Sequence, residues 1–485
     1  MAELEALLVP IVRQVNSIIW GPAAWAVLLG GGLWLSIKTN FLQVTKFTTY
    51  IDLTIIDMFR KPENKKSGVM KGEGDITPWQ AINTAFCATM GVGTLVGTAN
   101  AIAFGGPGAV FWMWVVGFFG IVTKFSEVTL AVHYRQKNEK GEMLSGPFAY
   151  MEKGLGKKWL AVWFAFFGAI AAFGIGNMVQ SNSAAGALYT GFGFPRLWTG
   201  IIAAILIGLV IIGGLKIIAR VVEKIIPALA ITAIITSILI ILTRISHVPE
   251  AFRLIFVGAF TSEGLVGGVA GVSIMYAIRF GLQRGVFSNE AGLGSAPIAY
   301  AAAKTDHPVK QGLWASFEVF LDTHVMCGLV AIAILATVPL DVIAPSAFLP
   351  GMDPSLMPGL AGAPLIIRAW ADSFLGAQLG TWLMAFLIGA FGFTTVIGWA
   401  FYGEKCFEYL CGSTKYVLFY RILMIPICVF GAYGGVALIW AIADGLNAFM
   451  ALPNIIAVVL LGGTVSKLAN DFFAGKKYEP PESGK

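Results

Sequence analysis

Apolar stretches separated by short polar loops repeat along almost the whole chain of 485 residues. Each stretch holds about 20 apolar residues, the length that an α-helix needs to cross the hydrocarbon core of a bilayer. The pattern therefore predicts an all-α polytopic membrane protein with about eleven transmembrane helices. Their approximate limits are residues 18–37, 78–104, 110–132, 160–188, 199–215, 225–243, a seventh that starts near 264, then 313–336, 379–402, 416–432 and 437–461.

Glycine-rich segments interrupt the second and the seventh of these spans. Residues 87–100 contain Gly91, Gly93 and Gly97, and each glycine lowers helix stability by about 1 kcal/mol. Residues 284–297 interrupt the seventh span in the same way. Irregular backbone at membrane depth survives only where protein or a water-filled cavity covers it, which predicts two broken helices that form a binding site. The glycines equally fit close helix packing through small residues, and the motif alone leaves both interpretations open.

The two breaks lie about five spans apart, and an odd separation gives corresponding helices opposite directions across the membrane. This spacing predicts two inverted-topology repeats of five helices, each with one broken helix. Residues 1–76 would hold an extra N-terminal transmembrane helix and a cytoplasmic basic segment. Residues 77–245 would form the first repeat, residues 246–468 the second, and residues 469–485 a cytoplasmic tail.

Composition and charge place the chain in a membrane and suggest its orientation. Hydrophobic residues make up 57% of the chain, charged residues 12%, and the mean hydropathy is +0.77. The net charge of +6 gathers in alternate short loops, such as residues 38–71 and 133–158. By the positive-inside rule this predicts a multi-pass cell-membrane protein with its N-terminus outside and its C-terminus in the cytoplasm. No soluble segment is long enough to bind nucleic acid, and no nucleophile lies near a general base, so an enzyme is not expected.

Polar groups inside the spans suggest ligands. The amides of an unwound Gly91–Gly93 segment would lie at the positive end of a half-helix, which suits a carboxylate. Thr394 and Thr395 in span nine offer the oxygen ligands that a hard cation such as sodium prefers, together with carbonyls near Cys87 and Met90. Threonine hydroxyls in membrane helices also bond to their own preceding carbonyls, and that alternative stays open.

Ionisable residues inside membrane spans are functional candidates by default. Arg284 and Glu290 near the second break could form a structural pair or a cytoplasmic gate. Asp322 with His324 is the best argument for protons as the coupling ion. Lys124 and Glu127 are predicted to form an interfacial pair in which Lys124 extends to the headgroups. The further candidates are Arg279, Glu318 and Asp444.

Several long blocks of the sequence resemble the alanine or glycine:cation symporter family. These blocks are residues 105–114, 123–125, 176–180, 284–297, 398–399 and 402–406, with Asp444, Asn447, Pro453 and Asn454. The resemblance implies the amino acid, polyamine and organocation superfamily, the leucine-transporter-type fold with inverted five-helix repeats and two broken helices, and sodium-driven uptake of a small neutral amino acid. It implies substrate contacts from Thr89, Gly91, Val92, Gly93, Phe173, Gln180, Phe287, Asn289 and Trp399. It also implies a sodium site made of the Cys87 and Met90 carbonyls with Thr394 and Thr395.

One position departs from the family pattern. Thr94 and Leu95 stand where the family usually has Asn and Ile, and a threonine oxygen reaches less far than an amide oxygen. We expect a symporter that imports alanine or glycine by alternating access, with sodium as the coupling ion, no other cofactor, and the lipid bilayer as its surroundings. Proton coupling, a glutamine-type substrate and a gated channel remain the alternatives.

Overall fold

The computed structural model describes residues 2–60, 72–261, 270–343 and 360–481, and within them nearly all regular structure is helical. The α-helices are α1 Ala2–Ile19, α2 Pro22–Lys38, α3 Leu42–Thr45, α4 Phe47–Ile51, α5 Pro78–Thr89, α6 Thr98–Gly105, α7 Ala109–His133, α8 Pro147–Ala149, α9 Lys158–Phe173, α10 Val179–Phe192, α11 Arg196–Ile211, α12 Leu215–Thr243, α13 Val248–Phe260, α14 Ala270–Asn289, α15 Pro297–Tyr300, α16 Pro308–Val319, α17 Gly328–Thr337, α18 Leu340–Ile343, α19 Gly362–Ala371, α20 Ala377–Cys411, α21 Val417–Tyr433, α22 Val436–Leu460 and α23 Gly462–Phe473.

Shorter elements connect or interrupt these helices. Single π-helical segments interrupt or extend five of them, at Asp52–Ile56, Gly93–Gly97, Tyr150–Gly154, Gly174–Met178 and Phe320–Cys327. Turns of 3₁₀-helix lie at Ile245–His247 and Thr414–Tyr416. The strands β1 Gln136–Lys137 and β2 Met143–Leu144 form one antiparallel hairpin.

Among the described residues, seven helices are long and apolar enough to cross a membrane, or nine when each bent pair counts as one span. The seven are α7, α9–α10, α12, α16–α17, α20, α21 and α22, and the bent pairs are α1–α2 and α5–α6. The other two predicted spans correspond to α11, which has 16 residues, and to α14, which carries two arginines. The total of eleven therefore remains a prediction.

Both predicted breaks occur in the described helices. The helix α5 starts at a capping box between Thr77 and Gln80 and bends by 43° against the segment Gly93–Gly105. The helix α14 ends at Asn289 and α15 starts at Pro297. Between them the backbone takes left-handed angles at Glu290, with φ 55°, and at Gly292, with φ 93°, which a helix cannot contain.

Some predicted limits were wrong. The N-terminal helix α1 was not expected, and the side chains of Asn16 and Trp20 at its end donate to main-chain carbonyls of α22. The residues between the predicted spans 199–215 and 225–243 are part of α12, and they include Lys216 and Arg220, which are good helix formers. The predicted start of the seventh span near residue 264, like the basic residues between 61 and 71, lies outside the described residues.

The first broken helix lies at the centre of the bundle. Almost every residue from 81 to 103 is buried. The helix α5 packs on α12 and α20, whereas α7 packs on α14 and α16. Since the irregular backbone between α5 and α6 is enclosed by other helices, its polar groups face protein or an internal site rather than lipid.

A main-chain junction joins the segment before α5 to the segment after α15. Asp75 N donates to Ala302 O and Lys304 N donates to Ile76 O, each at 2.8 Å. Arg135 follows α7, and its guanidinium donates to the carbonyl of Ala303 at 2.8 Å and to those of Ala301 and Thr305 at 3.3 Å. The two broken helices are therefore tied together at this end of the bundle.

The chain after α23 packs against the same end of the molecule. The Tyr478 hydroxyl lies 3.0 Å from His133 Nδ1, and its ring centroid lies 5.1 Å from that of His307. Within the predicted tail, residues up to Phe473 are helical and Tyr478 is partly buried. Residues 482–485 lie outside the described part of the chain.

Candidate functional site

The backbone at the end of α5 releases two carbonyl groups. The amide of Gly91, which a continuing helix would donate to Cys87 O, donates instead to Thr89 O at 2.8 Å. The amide of Val92, which would reach Ala88 O, donates to the side chain of Gln180 at 3.3 Å. The carbonyls of Cys87 and Ala88 thereby lose the donors of a regular helix and become available to a ligand.

The hydroxyl pair of α20 lies directly against this segment. A Cβ atom added to Gly91 would lie 2.2 Å from Thr395 Oγ1, so the two residues are in close contact. Thr394 and Thr395 donate to Phe391 O at 3.0 and 2.8 Å, which is the back-bonding that the alternative interpretation predicts. A hydroxyl that donates its hydrogen keeps lone pairs, so this bonding leaves both oxygens able to contact a cation.

The remaining members of the predicted sodium site occupy the same region. Met90 still donates its amide to Phe86 O at 2.7 Å, but its ψ of 74° turns its own carbonyl out of the helical direction. The Cys87 sulfur lies beside α20, because a Cβ added at Gly398 would come within 2.5 Å of it. The end of α5 and the segment of α20 around Thr395 and Gly398 therefore pack directly against each other.

Aromatic side chains from two helices pack against glycines of the first break and of the segment Gly174–Met178. Phe287 of α14 packs against Gly93, where an added Cβ would lie 2.9 Å from its ring. Trp399 of α20 is buried and packs against Gly176, with only 2.3 Å between its Cβ and an added Cβ. Phe173 was also expected at the site, but its described ring contact is with Tyr420 of α21, at 5.0 Å between centroids.

Asn289 is engaged in contacts within the protein. Its Nδ2 donates to Thr323 Oγ1 at 2.9 Å, and its Oδ1 accepts the amide of Ala291 at 2.9 Å. These bonds terminate α14 and fix the start of the second break. Its described contacts therefore favour a structural role beside the site over a direct ligand role.

The intramembrane charges pair differently from the sequence prediction. Lys124 does not extend to the headgroups: it is fully buried and its ammonium lies 2.8 Å from Glu318 Oε1. Glu127 accepts a hydrogen bond from Asn454 instead of pairing with Lys124. Sequence spacing pointed to Glu127 because Glu318 lies 194 residues away from Lys124, although opposite charges in two membrane spans were a usable signal.

The other predicted pairs also change. Arg284 pairs with Asp444 at 2.5 Å, so it does not pair with Glu290, whose carboxylate accepts from Ser295 at 2.6 Å. His324 is partly buried, and its ring stacks on Phe320 with centroids 5.9 Å apart. The expected link between His324 and Asp322 is not among the described contacts.

A second oxygen cluster surrounds Asp322, and the sequence reasoning missed it as a group. The carboxylate is fully buried and accepts from the hydroxyls of Thr94 and Ser288, each at 2.7 Å. The Thr94 hydroxyl oxygen also lies 3.1 Å from Thr89 O. The residue that departs from the family pattern therefore belongs to a carboxylate–hydroxyl cluster beside the first break.

The chain matches known proteins over almost its entire length. A family model described as the sodium:alanine symporter family matches residues 5–483. The chain is 42% identical to the sodium/alanine symporter AgcS of Methanococcus maripaludis, over 97% of this chain and 98% of that one. It is 35% identical to the probable sodium/glutamine symporter GlnT of Bacillus subtilis, over 98% and 92% of the two chains.

Solved structures support the fold. A crystal structure of MhsT in complex with L-phenylalanine superposes with a TM-score of 0.54 at 13% identity, covering 82% of this chain and 99% of that one. At this identity the likeness concerns architecture alone. It confirms the predicted leucine-transporter-type fold with broken helices.

Proposed function

The chain belongs to the sodium:alanine symporter family, whose members are transporters rather than enzymes, and on this premise we propose that it imports alanine or glycine together with sodium. The observation that carries the proposal is the close contact between Gly91 and Thr395. It brings the unwound end of α5 against the hydroxyl pair of α20. Free carbonyls and hydroxyl oxygens at one point suit a cation, and a bound cation would attract a substrate carboxylate to the same segment.

We assign the substrate carboxylate to the Thr89–Gly93 segment. Gln180 already holds the amide of Val92 and fixes the orientation of this segment. Phe287, against Gly93, and Trp399, against Gly176, would limit the side chain of the substrate. Large aromatic side chains near the assigned carboxylate site would leave room for alanine or glycine rather than for a glutamine-sized substrate. Phe173 and Asn289, expected to complete the pocket, would act through neighbouring residues.

We assign sodium to the carbonyls of Cys87 and Met90 with the hydroxyls of Thr394 and Thr395. The cation and the substrate carboxylate would then bind to adjacent turns of the same unwound segment. Opposite charges at this distance, in surroundings of low dielectric constant, attract strongly. Each ligand would therefore raise the affinity for the other by the same factor, which is the coupling that symport needs.

We propose that the junction between residues 72–76 and 301–305 closes the cytoplasmic side of the site. The basic residues that follow α7 support this orientation, because lysine and arginine favour cytoplasmic loops. With the N-terminus outside and the C-terminus in the cytoplasm, release of substrate would require this junction to separate. Alternating access would then move the broken helices around a fixed central site.

Uptake of labelled alanine into proteoliposomes, under separately imposed sodium and proton gradients, tests the proposal. We expect accumulation above the external concentration with an inward sodium gradient alone. Unlabelled glycine should compete, and unlabelled glutamine should compete less. Flux that only follows the alanine gradient and ignores both cations would contradict symport and favour a channel.

A second candidate, proton coupling, rests on the cluster around Asp322. A fully buried carboxylate with hydroxyl partners suits a group that takes up and releases a proton. In the same vesicles, a proton gradient without sodium would then drive accumulation. If only the sodium gradient does so, Asp322 is not the coupling site.

A further inference from the structure

The buried ion pair between Lys124 and Glu318 contacts the ends of three half-helices. Lys124 Nζ donates to the main-chain carbonyl of Asn289, the last residue of α14, at 2.7 Å. Glu318 Oε1 accepts from Thr89, the last residue of α5, at 2.8 Å. Glu318 Oε2 accepts from Tyr300, the last residue of α15, at 2.9 Å. One pair of opposite charges therefore connects the first break to both sides of the second.

Stability alone does not account for this pair. Neither side chain has any exposed surface. Taking two charges out of water carries a desolvation penalty that their attraction offsets only with good geometry and further hydrogen bonds. Here the C-terminus of α14 supplies partial negative charge to the ammonium, and two hydroxyls satisfy the carboxylate. Well-packed apolar residues would stabilise the same volume at least as well, so the pair is better explained by what it connects.

We propose that Lys124 and Glu318 are positioning residues that make the two breaks change conformation together. The inference rests on the proposed function, which assigns sodium and the substrate to the first break. A ligand that orders the end of α5 also fixes the Thr89 hydroxyl, and Glu318 with Lys124 transmits this order to the ends of α14 and α15. The second break then responds without contacting the ion itself.

Hydrogen-exchange mass spectrometry on the full-length purified protein can follow both breaks separately. In the wild type, we expect sodium to slow amide exchange in residues 88–96 and in residues 289–296. The double variant Lys124→Met/Glu318→Gln removes both charges at similar volume and leaves no unpaired buried charge. In this variant, sodium should still slow amide exchange in the first break. The factor by which sodium slows exchange in the second break should fall about tenfold. The single variant Lys124→Arg should retain the effect at both breaks.

Two controls separate transmission from general destabilisation. Glu404→Gln/Arg421→Gln removes the ion pair of α20 and α21, whose Nε–Oε2 distance is 2.7 Å, and should leave sodium protection intact in both breaks. Tyr300→Phe keeps both buried charges and removes only the hydroxyl that donates to Glu318. Sodium should then no longer slow exchange of the amides of the second break next to α15. This variant provides a test if the double variant does not fold. Equal protection of both breaks in the double variant, or unchanged protection in Tyr300→Phe, would overturn the proposal.

Measurements without sodium test the positioning role of the ion pair independently of the sodium assignment. Without sodium, we expect exchange in both breaks to be about tenfold faster in the Lys124/Glu318 double variant than in the Glu404/Arg421 control. Equal rates would overturn the inference. Sodium could fail to slow exchange in either break of the wild type while the double variant still exchanges faster than the control. That result would contradict the sodium assignment and support the positioning role of Lys124 and Glu318.

Discussion

Two glycines of the first break differ in the space around them. A Cβ at Gly91 would lie 2.2 Å from Thr395 Oγ1, whereas a Cβ at Gly97 would have no other atom within 4 Å. The sequence could not distinguish close helix packing from an unwound binding segment at these positions. Of these two glycines, only Gly91, which faces the hydroxyl pair, lacks space for a side chain.

Replacing each glycine by alanine tests this difference. We expect Gly91→Ala to lower sodium-driven alanine uptake at least tenfold, because overpacking a buried site costs about 1–3 kcal/mol and displaces Thr395. Gly97→Ala, in the same segment, should transport within about twofold of the wild type. Uptake in proteoliposomes is compared at equal amounts of folded protein. Similar activity of the two variants would show that the contact with Thr395 has no part in transport.

At this scale the sequence predicted residue types better than partners. The resemblance named Gly91, Gln180 and Thr395, and the fold brings all three to the end of α5. Asn289 was named as a ligand but already holds Thr323, and Lys124 was assigned to the membrane surface. Sequence spacing gives the helix face of a residue, but its partner depends on which distant helix packs against that face.

At the scale of elements, Arg135 holds the junction between the two broken helices. Its guanidinium donates to three carbonyls of the segment after α15. Lys137, two residues further, forms an ion pair with Glu73 at 3.0 Å, but both side chains are at least half exposed. The two basic residues should therefore contribute very differently to the junction, because exposed ion pairs add little.

We expect Arg135→Ala to open the junction more often. Hydrogen bonds from a charged group contribute about 1.5–3 kcal/mol, so exchange of the Asp75 and Lys304 amides should rise about tenfold or more. Lys137→Ala serves as the matched control and should leave both rates close to those of the wild type. Hydrogen-exchange mass spectrometry of residues 72–76 and 301–305 gives the comparison. If amide exchange is equally fast in the two variants, main-chain hydrogen bonds alone hold the junction closed.

Helices were predicted well where the length of an apolar stretch determines their limits. They were predicted less well where contacts with distant helices determine their limits. The span α7 and the bend after α5 follow directly from hydropathy and glycine content. The second interruption was expected from residue 284, yet α14 continues to Asn289. Arg284 is helical and pairs with Asp444 of α22, a partner that cannot be read from local sequence.

At the scale of the whole molecule, the end that carries the junction also contains a buried histidine. His307 lies between α15 and α16, outside the spans, and its Nδ1 accepts the amide of Val309 at 3.2 Å as the N-cap of α16. Burial lowers the pKa of His307 to about 4, and Lys310 acts in the same direction. An unfolded chain has a histidine pKa of about 6.5, so it binds more protons than the folded protein between these values.

Acidification should therefore destabilise the protein through His307. Because the unfolded state takes up the extra proton, stability should fall as the pH decreases from about 6.5 towards 4. His307→Asn keeps a capping acceptor for Val309 but does not titrate, so its thermal unfolding midpoint should fall less over the same range. Unfolding in detergent at pH 7, 5.5 and 4.5 makes the comparison. Parallel decreases in both proteins would remove His307 as a cause.

The junction between residues 72–76 and 301–305 has a consequence for evolution and engineering. Its bonds join main-chain groups, which every amino acid except proline has, so these bonds do not depend on side-chain identity, although the side chains of Ile76, Ala302 and Ala303 are buried. Gly72 and Gly74 are the exceptions, because their φ angles are 107° and 156° and an added Cβ would lie within 2.1 and 2.3 Å of the opposite segment. In a library that randomises residues 72–76, we therefore expect functional sequences to vary at other positions and to keep glycine at positions 72 and 74.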